Sequence, residues 1–357
     1  MKINIHTYFY GNNYGALLQS LFLKTYLKNQ TSAIVEFNKY QPKKLLFREE
    51  FKPIIKKNLI HSFFSIKKFF KFRKWKNKYI ETRPITKFIK NNNELDKISI
   101  YGSDEIWNFQ NPFFGYDPFF FGQDNSAFKF SYAASFGSSA TSKIDNNFSN
   151  ELKKLFQDFK FLSVRDLSSR NFLKKLLDIN VEIVLDPIFL IDNEFELFLE
   201  KKDRIISKKY CLIYGQFFSR EEKQTIINFS KKNDLQLVSI GFYNSWVDVN
   251  LVDVNPSNFL NIFKYSSCVF TSMFHGVLFS VKYNKTFWFT DDPYRKNKLD
   301  YFLHTFKISN RIVNKNINFD DKINYIPINK ELDKQKKISK NFIKNCIKSY
   351  LKNENQL

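Results

Sequence analysis

The chain has 357 residues, a length that suffices for two domains with separate cores. Its hydrophobic fraction of 43% argues against general disorder, no stretch approaches the roughly 20 apolar residues that cross a bilayer, and the N-terminus lacks the pattern of a cleavable signal peptide. The formal net charge of +22 favours anionic partners, namely nucleic acid, anionic lipid headgroups or phosphorylated substrates. Three widely spaced cysteines predict neither a disulfide framework nor a metal site, so we expect a cytoplasmic protein.

Strands and helices alternate over residues 1–195, which predicts an N-terminal Rossmann-like lobe. The predicted strands lie at residues 3–8, 33–37, 98–101, 129–133, 161–164 and 182–185. The predicted helices lie at residues 16–27, 146–156 and 166–177. Residues 43–90 differ, because they carry 16 basic and three acidic side chains together with many Phe and Leu. This pattern is typical of basic amphipathic helices.

A polar linker at residues 192–209 precedes a second alternation, which predicts a C-terminal lobe over residues 205–330. The predicted strands are 210–214, 235–241, 268–271 and 286–289, and the predicted helices are 220–231, 256–264 and 274–283. Two such units imply an α/β protein whose two Rossmann-like lobes face each other across a cleft. An amphipathic C-terminal helix, within residues 335–357, is expected to pack back on the first lobe.

Two motifs follow predicted strands of the first lobe. The loop at residues 11–15 opens the first helix and is placed to hold a substrate, although an ordinary turn explains it equally well. It matches neither a dinucleotide-binding fingerprint nor a P-loop. Residues 102–108 contain Ser103, Asp104, Trp107 and Asn108, a hydroxyl, a carboxylate, an indole and an amide. This mixture is typical of sugar binding, and helix capping by Ser103 or Asp104 is the structural alternative.

Arg165 and His275 each lie where a strand passes into a helix. A guanidinium there suits a carboxylate or phosphate, and a salt bridge to Asp166 or Asp186 is the alternative. His275 is one of four histidines and falls in the segment 271–276, at the expected N-terminus of a helix. A helix N-terminus attracts anions, and an imidazole there can transfer a proton near neutral pH. A purely structural histidine is the alternative.

Six segments, taken in order, resemble the polysaccharide pyruvyl transferase family between about residue 3 and residue 305, apart from the basic insert. They are residues 12–19, 102–108, 131–137, 163–166, 184–187 and 271–276. The resemblance implies a fold similar to two-lobed, GT-B-like glycosyltransferases. It also implies transfer of a pyruvyl ketal from phosphoenolpyruvate, as co-substrate, to a sugar of a surface polysaccharide or its lipid-linked precursor, with no cofactor.

The resemblance also assigns roles to residues. His275 matches the family's histidine and is the candidate acid and base, with Asp104 as a second catalytic group. The second lobe would form the donor side, and the expected donor-binding residues are Arg165, Ser272, Gly276 and Arg295. The first lobe would form the acceptor side, and the expected acceptor-binding residues are Asn13, Tyr14, Ser103, Trp107 and Asn108. One departure concerns Met273, which stands where family members often carry a donor-binding Arg; Arg295 or Lys298 is the proposed substitute.

The basic insert at residues 43–90 suggests a further partner, because acceptors in such pathways are often lipid-linked. Each Lys or Arg near an anionic bilayer contributes about 1 kcal/mol to binding. Aromatic residues beside these charges would enter the interface, and the candidates are Phe63, Phe64, Phe69, Phe70 and Phe72. We therefore expect peripheral association with the inner membrane leaflet. The alternative is a helical insertion that is exposed to solvent and binds no membrane.

Three alternative functions compete with this interpretation. A nucleotide-sugar-dependent glycosyltransferase of the same architecture would need an acidic ribose-binding residue in the second lobe, and none is evident. A catalytically divergent family member would explain Met273. Nucleic-acid binding rests on charge alone, because the chain has no recognisable reading motif, so we expect no nucleic-acid partner.

Overall fold

A computed structural model describes residues 1–48, 59–87, 97–111, 115–123, 126, 128–192, 204–290, 293–313 and 321–354. Within these ranges the chain forms two five-stranded parallel sheets, each flanked by helices. This arrangement confirms the predicted α/β class with two Rossmann-like units. The predicted linker falls mainly on residues 193–203, which lie outside the described residues.

The first sheet has the strand order β2-β1-β3-β4-β5. Its strands are β1 Lys2–His6, β2 Ile34–Phe37, β3 Lys97–Tyr101, β4 Phe128–Ser131 and β5 Phe159–Phe161. The helices described in this half are α1 Tyr14–Gln30, α2 Lys43–Leu46, α3 Leu59–Tyr79, α4 Asn146–Gln157 and α5 Leu167–Leu177. Ile3, Ile5, Ile98 and Ile100 are fully buried, as expected of a parallel sheet that is covered on both faces.

The predicted strand at residues 161–164 is in fact divided. Its first residue, Phe161, is the last of β5, and Ser163–Val164 form a short strand β6 that pairs with β7, Glu182–Ile183. The Ser163 amide donates to the Ser131 hydroxyl over 2.8 Å, and the Ser163 hydroxyl donates to the Ser131 carbonyl over 2.8 Å. Side-chain hydroxyls thus replace part of the strand ladder, and they hold the end of β4 beside β6.

The second sheet has the order β10-β9-β8-β11-β12. Its strands are β8 Tyr210–Tyr214, β9 Gln236–Ile240, β10 Val249–Leu251, β11 Cys268–Thr271 and β12 Thr286–Phe289. The helices of this half are α6 Arg220–Lys232, α7 Pro256–Tyr265, α8 Phe274–Lys282 and α9 Pro293–Thr305. Ser219 and Glu222 form a capping box that starts α6, and Asn255 caps α7. The alternation was predicted correctly, except that β10 was missed.

The last helix, α10 Tyr325–Glu354, starts before the predicted C-terminal segment and packs on the first lobe. The Tyr350 ring lies 5.5 Å from that of Phe128, and the Leu185 amide donates to the Ser339 hydroxyl over 2.9 Å. This bond is one residue from Asp186, so α10 helps to fix a residue of the site described below.

Helix α3, in the basic insert, packs against both lobes. Lys76 is buried and donates to the Tyr10 carbonyl of the first lobe over 2.7 Å. The Trp75 indole donates to the Ser257 hydroxyl of the second lobe over 2.9 Å. Phe72 is fully buried, so its predicted place in a membrane interface was wrong. Among the described residues, no helix combines the length and apolarity needed to traverse a bilayer.

Candidate active site between the two lobes

A chain of four side chains, two carboxylates, a guanidinium and an imidazole, joins the two lobes, and we refer to it as the ion chain: Asp104, Arg165, Asp186 and His275. The guanidinium of Arg165 lies 3.3 Å from Asp104 Oδ1 and 3.1 Å from Asp186 Oδ2. Asp186 Oδ2 in turn lies 3.5 Å from Nε2 of His275. The first three residues belong to the first lobe and His275 belongs to the second, so the ion chain crosses the interface between them.

The sheet topology explains why these residues meet. Asp104 follows β3, Arg165 follows β6 and Asp186 lies shortly after β7, all at the carboxyl ends of parallel strands. Asp104 has a left-handed φ of 75° and its carboxylate accepts the amide of Glu105 over 2.9 Å, which holds the turn. Asp166 instead caps α5, so of the two carboxylates considered in the sequence, Arg165 pairs with Asp186.

Asp186 is enclosed, with a side chain that is 3% exposed. Burial raises the pKa of the Asp186 carboxyl, but the neighbouring His275 and Arg165 outweigh that effect, so the pKa lies below its ordinary value. The carboxylate is therefore ionised at neutral pH. It provides a fixed negative charge between a guanidinium and an imidazole.

The two ring nitrogens of His275 have different surroundings. Nε2 is buried and faces Asp186 at a distance longer than a normal hydrogen bond, without forming one. The side chain as a whole is 10% exposed, and Nε2 contributes almost nothing to that exposure. Nδ1 lies against Gly15 of α1, so closely that a methyl group on Gly15 would overlap it. The absence of a side chain at Gly15 therefore makes room for the imidazole.

The strand-to-helix turn at residues 271–276 is tightly packed. The Gly276 amide donates to the Met273 carbonyl over 2.9 Å, so the expectation that this N–H binds the donor was wrong. Gly276 lacks a side chain because a methyl group there would overlap Thr271 Oγ1. Ser272 is buried and its hydroxyl donates to the Gln216 carbonyl over 2.8 Å, which ties β11 to the loop after β8. Met273 precedes α8 as its N-cap residue, without a side-chain cap.

Several residues expected to bind the acceptor are instead structural. Trp107 is fully buried, and its indole donates to the Phe120 carbonyl over 2.9 Å, so it presents no face to a sugar. The Ser103 hydroxyl is fully buried and donates to Gln19 over 2.6 Å. Asn108 is buried and donates to Glu105 over 3.0 Å. These expectations were wrong because the polar groups satisfy each other inside the lobe.

The other two residues expected on the acceptor side lie at the start of α1. Tyr14 is 1% exposed, its ring stacks on Phe259 at 4.3 Å, and its hydroxyl donates to the Val254 carbonyl over 2.7 Å. It therefore joins the lobes and is not open to an acceptor. Asn13 caps the helix by accepting the Gly15 amide over 3.0 Å, and it is exposed. The side chains of Arg295 and Lys298 lie outside the described residues.

A pocket of about 410 Å³, its mouth included, borders the ion chain. Arg165 and Asp186 form part of its wall, beside Phe274, whose ring lies 4.5 Å from the Arg165 guanidinium. Helix α9 adds Phe302, so much of the remaining wall is apolar. In the part of the chain that the structure describes, no group of three or more His, Cys, Asp or Glu side chains is arranged to hold a metal ion.

Sequence reasoning missed three features of this region. Asp186 was considered as a partner of Arg165 and as part of the family segment 184–187, but it was given no role in the site. Gly15 was interpreted as a turn residue, and only the fold shows that it faces His275. Phe217, just after β8, is 89% exposed with a left-handed φ of 69°. Such a conformation is unfavourable for a bulky residue, but one Phe among 43 carries no signal in the sequence.

The chain is similar to several solved structures of other proteins. S. aureus MnaA, in a co-structure with UDP, shares 13% identity and a TM-score of 0.50, with 99% of this chain and 97% of that chain covered. A putative UDP-N-acetylglucosamine 2-epimerase from Listeria monocytogenes has 12% identity and a TM-score of 0.48, with 99% and 97% covered. E. coli heptosyltransferase WaaC with ADP has 8% identity and a TM-score of 0.39, with 82% and 89% covered. At such identities the likeness to MnaA shows the fold alone, and it confirms the predicted GT-B-like arrangement.

No curated protein matches the chain. The sequence model of one family, described as polysaccharide pyruvyl transferase, matches residues 13–292. The match includes α1, all four residues of the ion chain and the turn at 271–276, and it spans well over half of the sequence. The chain therefore belongs to the polysaccharide pyruvyl transferase family and is a transferase of polysaccharide biosynthesis.

Proposed function

We propose that this enzyme transfers a pyruvyl ketal from phosphoenolpyruvate to two hydroxyls of a sugar in a surface polysaccharide or its lipid-linked precursor. The observation that carries the proposal is the ion chain, in which a buried carboxylate is placed between the family's histidine and a guanidinium. Family membership supports the reaction class, and the ion chain supports the roles of the individual residues.

The pairing with Asp186 gives His275 its role in proton transfer. The charge of Asp186, 3.5 Å from Nε2, favours the tautomer that carries its proton on Nε2, and Nδ1 is then the nitrogen that exchanges protons during the reaction. As acid, His275 protonates the methylene carbon of phosphoenolpyruvate and generates an oxocarbenium-like carbon. A sugar hydroxyl attacks that carbon and returns its proton to the imidazole. The second hydroxyl then displaces phosphate and closes the ketal.

Arg165 binds the donor by exchanging one of its carboxylate partners, since each of its terminal nitrogens already faces a carboxylate. Of the two, Asp104 is the one to leave, since its contact is the longer at 3.3 Å and its side chain is 16% exposed against 3% for Asp186. The carboxylate or phosphate of the donor takes its place at Arg165. Asp104, once released, accepts the proton of the second hydroxyl as that hydroxyl displaces phosphate. The exposed ring of Phe217 offers the aromatic face for the sugar that the buried Trp107 does not.

The test compares the surface glycan of a strain that lacks the gene with that of complemented strains. Loss of the gene removes a mass increment equal to pyruvate less one water, and the wild-type gene restores it. The variant His275→Gln does not restore it, whereas His304→Gln does, because His304 is an exposed residue at the end of α9. Restoration by His275→Gln would contradict the role given to this residue.

A second candidate function is transfer from a nucleotide sugar. It rests on the fold shared with S. aureus MnaA, whose co-structure contains UDP. Thermal unfolding of the purified protein with phosphoenolpyruvate, with UDP sugars and with GDP sugars separates the two candidates. Stabilisation by phosphoenolpyruvate alone supports the first proposal, and stabilisation by a nucleotide sugar alone supports the second. A divergent member that has lost catalysis, the alternative suggested by Met273, would leave the glycan unchanged when the gene is deleted.

A further inference from the structure

Helix α3 has two faces with different surroundings. Its inner face holds the molecule together, since Phe72, Trp75 and Lys76 are all at least nine-tenths buried between the lobes. Lys71 pairs with Asp253 of the second lobe at 2.7 Å, and Phe64 stacks on Tyr243 at 5.6 Å. The helix is thus fixed in its orientation, and its outer face is held outward by the packing of the inner one.

The outer face carries a row of apolar side chains that are open to solvent. Phe63, Ile66 and Phe70 are 54%, 40% and 60% exposed. They are spaced three and four residues apart, so they lie one above the other on the same side of the helix. Exposed single hydrophobic residues are common, but an aligned row on a fixed helix marks an interaction surface.

Positive charges surround this row. Lys67 and Lys74 lie on the same side of α3 and are exposed, and Arg73 is exposed beside them. The whole helix of 21 residues contains seven basic residues and no acidic one. A row of apolar side chains surrounded by positive charges is complementary to the surface of an anionic bilayer. There, aromatic rings enter the interface and cations face the headgroups.

We propose that the outer face of α3, formed by Phe63, Ile66, Lys67, Phe70 and Lys74, docks on the surface of an anionic phospholipid membrane. Phe64, Phe69 and Phe72 take no part, because they are half-buried or buried against the protein. The inner face also brings Lys68 to 4.6 Å from the Tyr14 ring, next to Gly15 and His275. Membrane docking would thus hold the active site near the bilayer, which suits a lipid-linked acceptor; this last step rests on the proposed function.

Sedimentation with vesicles tests the docking without any assay of activity. The full-length protein is mixed with vesicles of phosphatidylcholine that contain phosphatidylglycerol, or with vesicles of phosphatidylcholine alone. The wild type should bind only the former, and binding should weaken as salt is added. Substituting Phe63, Ile66 and Phe70 together by Ser, or Lys67 and Lys74 together by Glu, should lower the affinity by about tenfold or more. All five positions are exposed, so folding should be retained, as thermal unfolding will show.

Matched variants elsewhere separate this face from the general charge of the protein. Lys153→Glu with Lys154→Glu, on α4, removes the same charge from an exposed helix. Ile326→Ser removes an apolar side chain that is 81% exposed on α10. Neither control should change vesicle binding. The proposal is overturned if the controls weaken binding as much as the α3 variants do, if both kinds of vesicle bind equally, or if the α3 variants lose affinity for single-stranded nucleic acid but not for vesicles.

Discussion

At the scale of single residues, Asp186 influences the state of both of its neighbours. Its carboxylate is enclosed between Arg165 and His275, so it balances the charge of the guanidinium and faces the imidazole at 3.5 Å. An enclosed carboxylate beside a catalytic histidine selects the tautomer and stabilises the protonated ring during the reaction. The isosteric change to Asn keeps the shape of the site and removes that charge.

We expect Asp186→Asn to lower kcat by about 10²–10⁴-fold, because the imidazole loses its orienting carboxylate. The readout is phosphate release from phosphoenolpyruvate with an acceptor glycan. The control is Asp192→Asn, six residues further on, where the side chain is 66% exposed and pairs with Lys336. Equal loss in both variants, or an unchanged kcat in Asp186→Asn, would show that Asp186 does not act through His275.

The lowered pKa of Asp186 also predicts how stability depends on pH. An Asp side chain in an unfolded chain titrates near pH 3.9, and here the folded value is lower. The stabilisation is therefore fully present above about pH 5 and is lost as the pH falls through the folded pKa. Urea unfolding of the wild type and of Asp186→Asn should show a difference in free energy that is largest near neutral pH and narrows in acid. A difference that is independent of pH would contradict the assignment.

The residues of the site were only partly predictable from sequence. His275, Arg165 and Asp104 were found because each follows a strand, and strand ends converge in a parallel sheet. Trp107 was misassigned because nothing local tells whether an indole finds its acceptor inside the protein or in a ligand. Asp186 was undervalued because its position depends on the pairing of β6 with β7, and strand pairing is a long-range property.

At the scale of elements, the starts of α1 and α8 meet at Gly15 and His275. We expect Gly15→Ala to displace the His275 ring, since the added methyl group overlaps Nδ1. Gly15 lies in the first turn of α1, where Ala is a better helix former than Gly. The fold should persist while kcat falls by about tenfold or more, because small displacements of a catalytic group are costly. Thermal unfolding and phosphate release measure the two effects separately.

If Gly15→Ala retained full activity, the contact between α1 and His275 would not matter to catalysis. A loss of activity together with a large loss of stability would instead indicate that the lobes no longer close. The neighbouring change Ala16→Gly is a control, since it alters the same helical turn without adding an atom that faces His275. It should leave activity nearly unchanged and destabilise the helix by up to about 1 kcal/mol.

Helix α3 shows that a sequence pattern can predict a helix without predicting its tertiary contacts. The sequence predicted basic amphipathic helices, and the structure contains a long basic helix whose apolar side chains lie on both its inner and its outer face. However, its most buried residues include Lys76, which is 1% exposed because its ammonium group bonds to the Tyr10 carbonyl and lies 4.0 Å from the Tyr10 ring. A buried lysine is indistinguishable from a solvated one in a sequence with so many basic residues.

At the scale of the whole molecule, the alternation of strands and helices was enough to predict two parallel sheets, because each βα unit is a local pattern. The relation between the two lobes was not predictable in the same way. It depends on side chains that cross the interface, such as Tyr14 and Trp75, and on the return of α10 to the first lobe. These contacts connect residues far apart in the chain, and no periodic pattern in the sequence predicts them.

Tyr14 allows the strength of this interface to be measured. Its hydroxyl is buried and donates to the Val254 carbonyl across the lobes over 2.7 Å. Tyr14→Phe keeps the ring stacked on Phe259 but leaves a buried carbonyl without its donor, so we expect a loss of about 1–2 kcal/mol in the free energy of unfolding by urea. Tyr26→Phe, in the same helix, is the control, since that hydroxyl has no hydrogen-bond partner within the described ranges. If Tyr14→Phe and Tyr26→Phe were equally stable, the Tyr14 hydroxyl would not stabilise the interface between the lobes. Ring stacking and the inner face of α3 would then account for the stability of that interface.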